Sequence, residues 1–167
     1  MSFQKAHNIS NELGEVLVTT SPIDLSARPT DWAASGIGIY PVRPSPAVAG
    51  RSYRVLEVGC TIESAGSVAY NGQIQVGTAA TANALVRATD TFLPATTAVG
   101  ETYSTNTGGA NTWSFQAAGT GNVDSDGYPF LNVGEQLQFT AANNVANTPT
   151  VIFFARLAPV VSRDVFA

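Results

Sequence analysis

The feature that most constrains the fold is an alternation of side-chain character, with a period of two, that begins after residue 51. One side of this segment carries Arg54, Leu56, Val58, Cys60 and Ile62, and the other carries Tyr53, Glu57, Thr61 and Glu63. Successive side chains of a β-strand point to opposite faces, so this spacing predicts a long strand with one face turned toward a core. The chain is therefore expected to build its core from β-sheet.

Further segments have the character of strands. Trp113 and Phe115 alternate with polar neighbours, and Leu137 and Phe139 do so within residues 136–141, which predicts inward-facing side chains at these positions. Residues 150–157 are apolar at nearly every position, which predicts a central strand whose second face meets another subunit. About eight short strands separated by Gly, Asn, Thr and Pro turns predict an antiparallel jelly roll or β-sandwich.

Two segments between these strands have other local signals. The pair Asn71 and Gly72 favours a tight hairpin that would join residues 67–70 to residues 73–76, with a bulge in one longer strand as the alternative. Residues 81–88 are rich in Ala and Leu and could form two turns of helix.

Residues 1–50 differ from the rest of the chain because prolines interrupt any long regular element. The prolines of this segment are Pro22, Pro29, Pro41, Pro44 and Pro46. The pattern predicts an extended N-terminal arm with short strands over residues 1–50, followed by a jelly-roll β-sandwich domain over residues 51–167. Residues 15–19 and 36–40 could add strands to a sheet of the same subunit or of a neighbour.

The composition favours a subunit of an assembly. Charged residues make up 12% of the chain, about half the share in ordinary soluble domains. A neutral surface can be buried against a partner without leaving charges unpaired. The net charge is −4, and the basic residues form no stripe that could follow a phosphate backbone, so no nucleic-acid partner is expected.

Several side chains are candidates for the partner interface. Seven of the eight basic residues are arginines, whose planar guanidinium suits fixed contacts, and an aromatic residue in the arm could serve as an anchor. The predicted interface residues are Arg28, Trp32, Arg43, Ile152, Phe154 and Arg156.

The single cysteine, Cys60, excludes an internal disulfide framework, and it is predicted to be a buried apolar thiol. The first residues lack the charged-then-apolar pattern of a signal peptide, and no run of about 18 apolar residues occurs. We therefore expect synthesis in a cytoplasm and no membrane partner.

The sequence contains little that suggests catalysis. Its only histidine, His7, lies in the arm without an obvious nucleophile nearby, so we expect no enzymatic activity. Acid–base catalysis by paired carboxylates would need loop aspartates to meet Glu101 or Glu135, and no motif brings them together. Aromatic residues could alternatively form a sugar-binding platform, and the candidates are Trp32, Tyr103, Trp113 and Tyr128.

One loop resembles the first half of a calcium-binding loop. Asn122, Asp124 and Asp126 provide alternating oxygen ligands before a glycine, which makes them calcium candidates. The second half departs from that pattern, because Val133 occupies the position of the bidentate glutamate and Glu135 comes two residues late. A solvated turn is the simpler interpretation, and no other cofactor is expected.

The sequence also resembles a known group of proteins. Residues 131–139, with the sequence LNVGEQLQF, and residues 150–159 resemble the closing hairpin of trimeric jelly-roll domains, where a Gly-acidic pair opens a strand. Residues 71–79 and 82–85 are similar in style to small head decoration, or cement, proteins of tailed bacteriophages. The resemblance covers roughly residues 51–160.

The resemblance implies a non-enzymatic homotrimer that sits on the outside of a virion capsid and clamps neighbouring major capsid proteins. Its partners would be copies of itself and the major capsid protein, and no catalytic residues come with it. Two alternatives remain open at this point. One is a carbohydrate- or receptor-binding β-sandwich module of a phage fibre or spike, and the other is the coat protein of a small virus.

Overall fold

The structure is a computed structural model. It describes residues 15–26, 37–42, 52–70, 74–78, 85–86, 91–108, 112–115, 128–133, 135–142 and 146–160. Within these ranges the regular structure consists of β-strands paired in antiparallel sheets, which confirms the predicted all-β class. In the same ranges there is no helix of the length and apolar character that a bilayer crossing requires.

The described strands are numbered in chain order. They are β1 (Val16–Thr19), β2 (Ile23–Asp24), β3 (Ile37–Val42), β4 (Ser52–Ser64), β5 (Ile74–Thr78), β6 (Thr102–Ser104), β7 (Phe130–Leu131), β8 (Leu137–Ala142) and β9 (Thr150–Val160).

The strands form two sheets. The larger one has the order β1-β9-β4-β6, with β2 also paired to β9 and β7 also paired to β4. The smaller one has the order β3-β8-β5, and Val86 continues it through bridges to Val76 of β5 and to Phe115. The long strands β4 and β9 lie side by side in the middle of the larger sheet, so they determine which side chains face the core and which face outward.

The core lies between the two sheets. On β9 the side chains of Val151, Phe153 and Leu157 are fully buried, and on β8 the same is true of Leu137 and Phe139, as predicted. The rings of Phe139 and Phe153 stack with their centroids 4.6 Å apart and an interplanar angle of 12°. This pair joins the two sheets at the centre of the core.

The alternation along β4 is interrupted by a β-bulge. The pairing with β9 shifts between Val55 and Glu57, so that Leu56 has no register partner on that strand. Before the shift Tyr53 and Val55 face the core, whereas after it Val58 and its alternate neighbours do. The prediction that Arg54 and Leu56 share a face with Val58 was therefore wrong. The extra residue at the bulge shifts the alternation by one position, so the side chains before it point to the opposite face from the one predicted.

Strands β1, β2 and β3 belong to residues 1–50, and they pair within the same subunit. β1 and β2 line the edge of β9, and β3 pairs with β8 along its whole length. Both runs that were expected to add strands therefore do so, and they contribute one edge to each sheet.

Three local predictions were wrong. Tyr70 pairs with Leu93, with N···O distances of 3.0 and 3.3 Å, while β5 pairs with β8, so the predicted hairpin across Asn71 and Gly72 does not form. Val86 lies in β-bridges, which excludes a helix at that position. Strands β8 and β9 belong to different sheets and do not make a hairpin with each other.

Candidate functional site

The outward-facing side of the larger sheet collects three of the predicted interface residues. Because Val151, Phe153 and Leu157 are buried, the alternate residues of β9 between them point outward. Ile152, Phe154 and Arg156 are half-buried there. We call this surface the outer face, and the rows of cross-strand neighbours on it follow from the register of β1, β4, β6 and β9.

Each row of the outer face runs across several strands. In the Phe154 row, Thr19 of β1 and Gly59 of β4 flank the aromatic residue. In the Ile152 row, Thr61 of β4 is followed by Thr102 of β6. A third row places Leu17 and Glu57 on either side of Arg156. The central strand therefore supplies the large side chains, and mostly small or β-branched residues surround them.

These rows enclose an open groove of about 340 Å³. Its lining consists of Leu17, Thr19, Thr61, Thr102, Ile152 and Phe154. The threonine hydroxyls supply its polar groups, and the Oγ1 atoms of Thr61 and Thr102 lie 3.4 Å apart. Leu17 is 62% exposed, a high value for a leucine in a strand. The groove is thus apolar, uncharged and accessible from outside.

An ionic cluster borders the groove. The Nη1 atom of Arg156 donates a hydrogen bond of 3.1 Å to Oε2 of Glu57, and Nη2 donates one of 2.6 Å to Oε2 of Glu15. The other carboxylate oxygen of Glu57 accepts a hydrogen bond of 2.6 Å from the hydroxyl of Ser104. The hydrogen bonds to Glu15 and then Glu57 raise the pKa of Arg156. Arg156 is therefore already bound within the subunit by two carboxylates, and the cluster keeps one negative charge in excess.

The remaining predicted interface residues, Arg28, Trp32 and Arg43, lie outside the described residues. Sequence reasoning missed Leu17, Thr19, Thr61 and Thr102 as parts of the face. For Thr61 the strand periodicity gave a usable signal, whereas Leu17 sits between two valines and only the pairing with β9 determines its orientation.

The carboxylates once considered for acid–base catalysis have structural roles where the structure describes them. Oε2 of Glu101 accepts a hydrogen bond of 3.0 Å from the amide of Ala98. Oε2 of Glu135 accepts hydrogen bonds from the amide and side chain of Asn132, at 2.7 and 3.1 Å. Each carboxylate thus closes a local turn. His7 lies outside the described residues.

The calcium candidates Asn122, Asp124 and Asp126 also lie outside the described residues. Among the residues that are described, no group of three or more His, Cys, Asp or Glu side chains could hold a metal ion.

The proposed sugar platform loses two of its four members. Tyr103 and Trp113 are each 1% exposed, so neither can stack against a sugar, and the prediction that Trp113 belongs to the core is confirmed. Burial also raises the pKa of the Tyr103 phenol. Tyr128 is accessible, with the Arg54 guanidinium 5.6 Å from its ring centroid. Trp32 lies outside the described part of the chain.

Cys60 is a free thiol with no exposed surface, as the sequence predicts. Burial in the core raises the pKa of this thiol well above its ordinary value. The neutral thiol is therefore the form that the folded protein holds, which makes Cys60 a packing residue and not a nucleophile.

Comparisons of the chain with protein-family models, with curated proteins and with solved structures find no match.

Proposed function

We propose that this protein is a structural subunit of a virus particle, a decoration protein that binds the outside of a tailed-phage capsid and stabilises it. The observation that carries the proposal is the outer face: an accessible apolar groove on the central strand of the larger sheet, beside an arginine that two carboxylates of the same subunit already bind. The described lining of the groove itself contains no charged residue, so a protein partner can dehydrate it at low electrostatic cost.

The order of the strands supports a jelly roll, the fold that the resemblance implies. Successive strands from β3 to β6 alternate between the two sheets, β8 and β9 do so again, and the first and last strands are neighbours. Two sheets filled alternately by one chain are typical of the jelly roll, a fold found in viral capsid proteins and lectins. Val86 adds one bridged position beside β5 to the three strands of the smaller sheet.

The lining of the groove and the burial of two aromatic residues favour a role in an assembly over a role as an independent sugar-binding module. A sugar site needs convergent polar groups that bind hydroxyls in fixed positions, whereas the described groove provides threonine hydroxyls and apolar side chains. Two aromatic candidates for sugar stacking are buried in the core. The fibre or spike module therefore remains the second candidate, without a described site of its own.

Immunogold labelling of purified particles tests the proposal. Antibodies raised against the purified chain are applied to virus particles prepared from the source of the chain, and mass spectrometry of the same particles measures copy number. We expect label over the capsid exterior and a copy number that scales with the capsid lattice. Absence of the chain from the particles, or label confined to tail fibres, would overturn the capsid assignment.

A further inference from the structure

We propose that the groove of the outer face binds an extended segment of the major capsid protein in which apolar side chains stand between two basic ones. The inference rests on the proposed function and deepens it by stating the chemistry of the surface that the subunit binds. It follows from two exposed carboxylates, those of Glu15 and Glu63, which lie at opposite ends of the groove.

The first carboxylate lies at the end of the groove that β1 forms. Glu15 precedes the lining residue Leu17 by two positions, or ~7 Å along a strand. Its Oε2 atom accepts a hydrogen bond from Arg156, which is also bonded to Glu57, so one guanidinium stands between two carboxylates. Because Glu15 is the more exposed of the two, the excess negative charge of the cluster is accessible mainly there.

The second carboxylate lies at the other end of the groove, on β4. The pairing of β4 with β9 shifts between Ile62 and Ser64, so Glu63 is the extra residue of a bulge, and it stands with Ser64 opposite Thr150. Thr150 belongs to the outward-facing residues of β9. Glu63 is exposed and follows the lining residue Thr61 by two positions. This end of the groove therefore also has a carboxylate just beyond its lining.

The charged residues described on the outer face leave it with negative charge in excess. The carboxylates are Glu15, Asp24, Glu57 and Glu63, and the guanidinium groups are Arg54 and Arg156. The Arg54 guanidinium lies 5.6 Å from the ring centroid of Tyr128, on the side of β4 that faces away from β9 and β1. A partner that covers this face is therefore favoured when it brings positive charge, and a phosphate backbone is disfavoured.

The distance between the two carboxylates determines the length of the segment. Val16 pairs with Leu157, and Glu15 comes one position earlier, whereas Glu63 stands opposite Thr150. About eight residues of β9, or ~26 Å, therefore separate them. Long basic side chains cover part of this distance, so lysines or arginines about six to eight positions apart in an extended segment can reach both carboxylates. The apolar side chains between them would pack against the lining of the groove.

The first test needs no capsid. The full chain, labelled with nitrogen-15, is titrated with two synthetic peptides of about nine residues that alternate threonine and valine and have either lysine or glutamate at both ends. We expect the lysine peptide to shift the amide signals beside the groove and to bind roughly three- to tenfold more tightly than the glutamate peptide at low salt. Equal affinities, or shifts confined to strands away from the groove, would overturn the inference.

Substitutions in the full chain identify the groups that bind the lysine peptide. Glu15→Gln and Glu63→Gln should each weaken its binding about two- to fivefold, as expected for the loss of one exposed ion pair, and Leu17→Thr should weaken it by removing apolar contact. The matched controls are Glu135→Gln and Val133→Thr, which change an exposed carboxylate and an exposed valine outside the groove. Thermal unfolding verifies that each variant is folded. Wild-type affinity in both Glu15→Gln and Glu63→Gln would contradict the inference.

Binding to capsids separates the failure of this inference from the failure of the proposed function. Purified virus capsids from which the chain has been removed are mixed with the wild type and with the Glu15→Gln/Glu63→Gln double variant, and bound chain is measured after sedimentation. We expect weaker binding of the double variant. Equal binding of both would overturn the inference and leave the capsid role standing. A chain that binds the lysine peptide as expected but is absent from virus particles would overturn the capsid role and leave the specificity of the groove standing.

Discussion

Gly59 of β4 lies directly opposite Phe154 of β9, and on its other side it is paired with Ser104 of β6. A Cβ atom at position 59 would lie 2.5 Å from the Cβ of Ser104 and would collide with the carbonyl oxygen of Tyr103. Strands β4 and β6 can therefore approach this closely only because residue 59 has no side chain. This close approach lies next to Phe154, at the centre of the outer face. Aromatic residues placed opposite glycines help to specify the register of a sheet.

Gly59→Ala is expected to destabilise the protein by about 1–3 kcal/mol or more, because strand β6 must move away from β4 to admit the methyl group. Gly108→Ala is the matched control, since no atom lies within 4 Å of a Cβ built there and its backbone conformation is an ordinary one. Urea denaturation followed by circular dichroism gives both free energies of unfolding. Equal values for the two variants would contradict the close approach of the strands.

The two carboxylates that bind Arg156 should contribute unequally to stability. The side chain of Glu57 is 13% exposed and also binds Ser104, whereas that of Glu15 is 52% exposed. Glu57→Gln is expected to cost about 1–2 kcal/mol, because a partly buried charged acceptor is lost. Glu15→Gln should cost no more than about 0.5 kcal/mol, as is usual for solvent-exposed ion pairs.

Urea denaturation of both variants and of Arg156→Gln, combined in double-mutant cycles, measures the two coupling energies. A coupling between Glu15 and Arg156 as large as that between Glu57 and Arg156 would contradict this ranking.

The all-β class could be predicted because Leu137 and Phe139 alternate with polar neighbours, and because Val58, Cys60 and Ile62 recur with the same period of two. The facing of β4 could be predicted only from Val58 onward. A bulge at Leu56 is a matter of how β4 pairs with β9, and nothing in the local sequence distinguishes an extra residue from a continuing alternation. The hairpin predicted at Asn71 and Gly72 also rested on local sequence alone. Strand β5 pairs instead with β8, which is distant in the sequence.

The part of the candidate site that lies on β9 could be predicted from the period of two. Ile152, Phe154 and Arg156 share a face because they are spaced two apart on one strand. Their neighbours come from distant parts of the chain, and the hydrogen bond between Glu15 and Arg156 spans 141 positions. No periodicity relates such residues, so the ionic cluster and the exposed position of Leu17 appear only once the strands are paired.

Alkaline pH should destabilise the protein through Cys60. Burial raises the pKa of this thiol in the folded state, so its stabilising contribution is complete below the pKa of the unfolded thiol, about 8.5. Above that pH the unfolded chain ionises while the folded one does not, and the contribution is lost as the pH rises towards the folded value. The unfolding free energy should fall by up to about 1.4 kcal/mol per pH unit for this group.

Cys60→Ala removes the titrating thiol, so the unfolding free energy of this variant should fall less steeply between pH 9 and 10 than that of the wild type. At pH 7 the variant should be less stable than the wild type, because the substitution leaves a cavity in the core. The same burial predicts that a thiol reagent such as DTNB reacts with Cys60 only in molecules that have opened. A labelling rate close to that of the unfolded chain, under native conditions, would contradict the buried position.

Phe153 and Phe154 are adjacent in the sequence and face opposite sides of the larger sheet, so they test the two sides separately. Phe153 is fully buried and stacks on Phe139, and Phe153→Ala is expected to cost about 3–5 kcal/mol. Phe154 is half-buried, and Phe154→Ala should cost the monomer about 1 kcal/mol, in proportion to the smaller area it removes from water.

Urea denaturation of the wild type and of each variant gives both values. If Phe154→Ala were as costly as Phe153→Ala in the monomer, the outer face would already be covered within one subunit. A protein partner would then have no exposed apolar surface on β9 to bind.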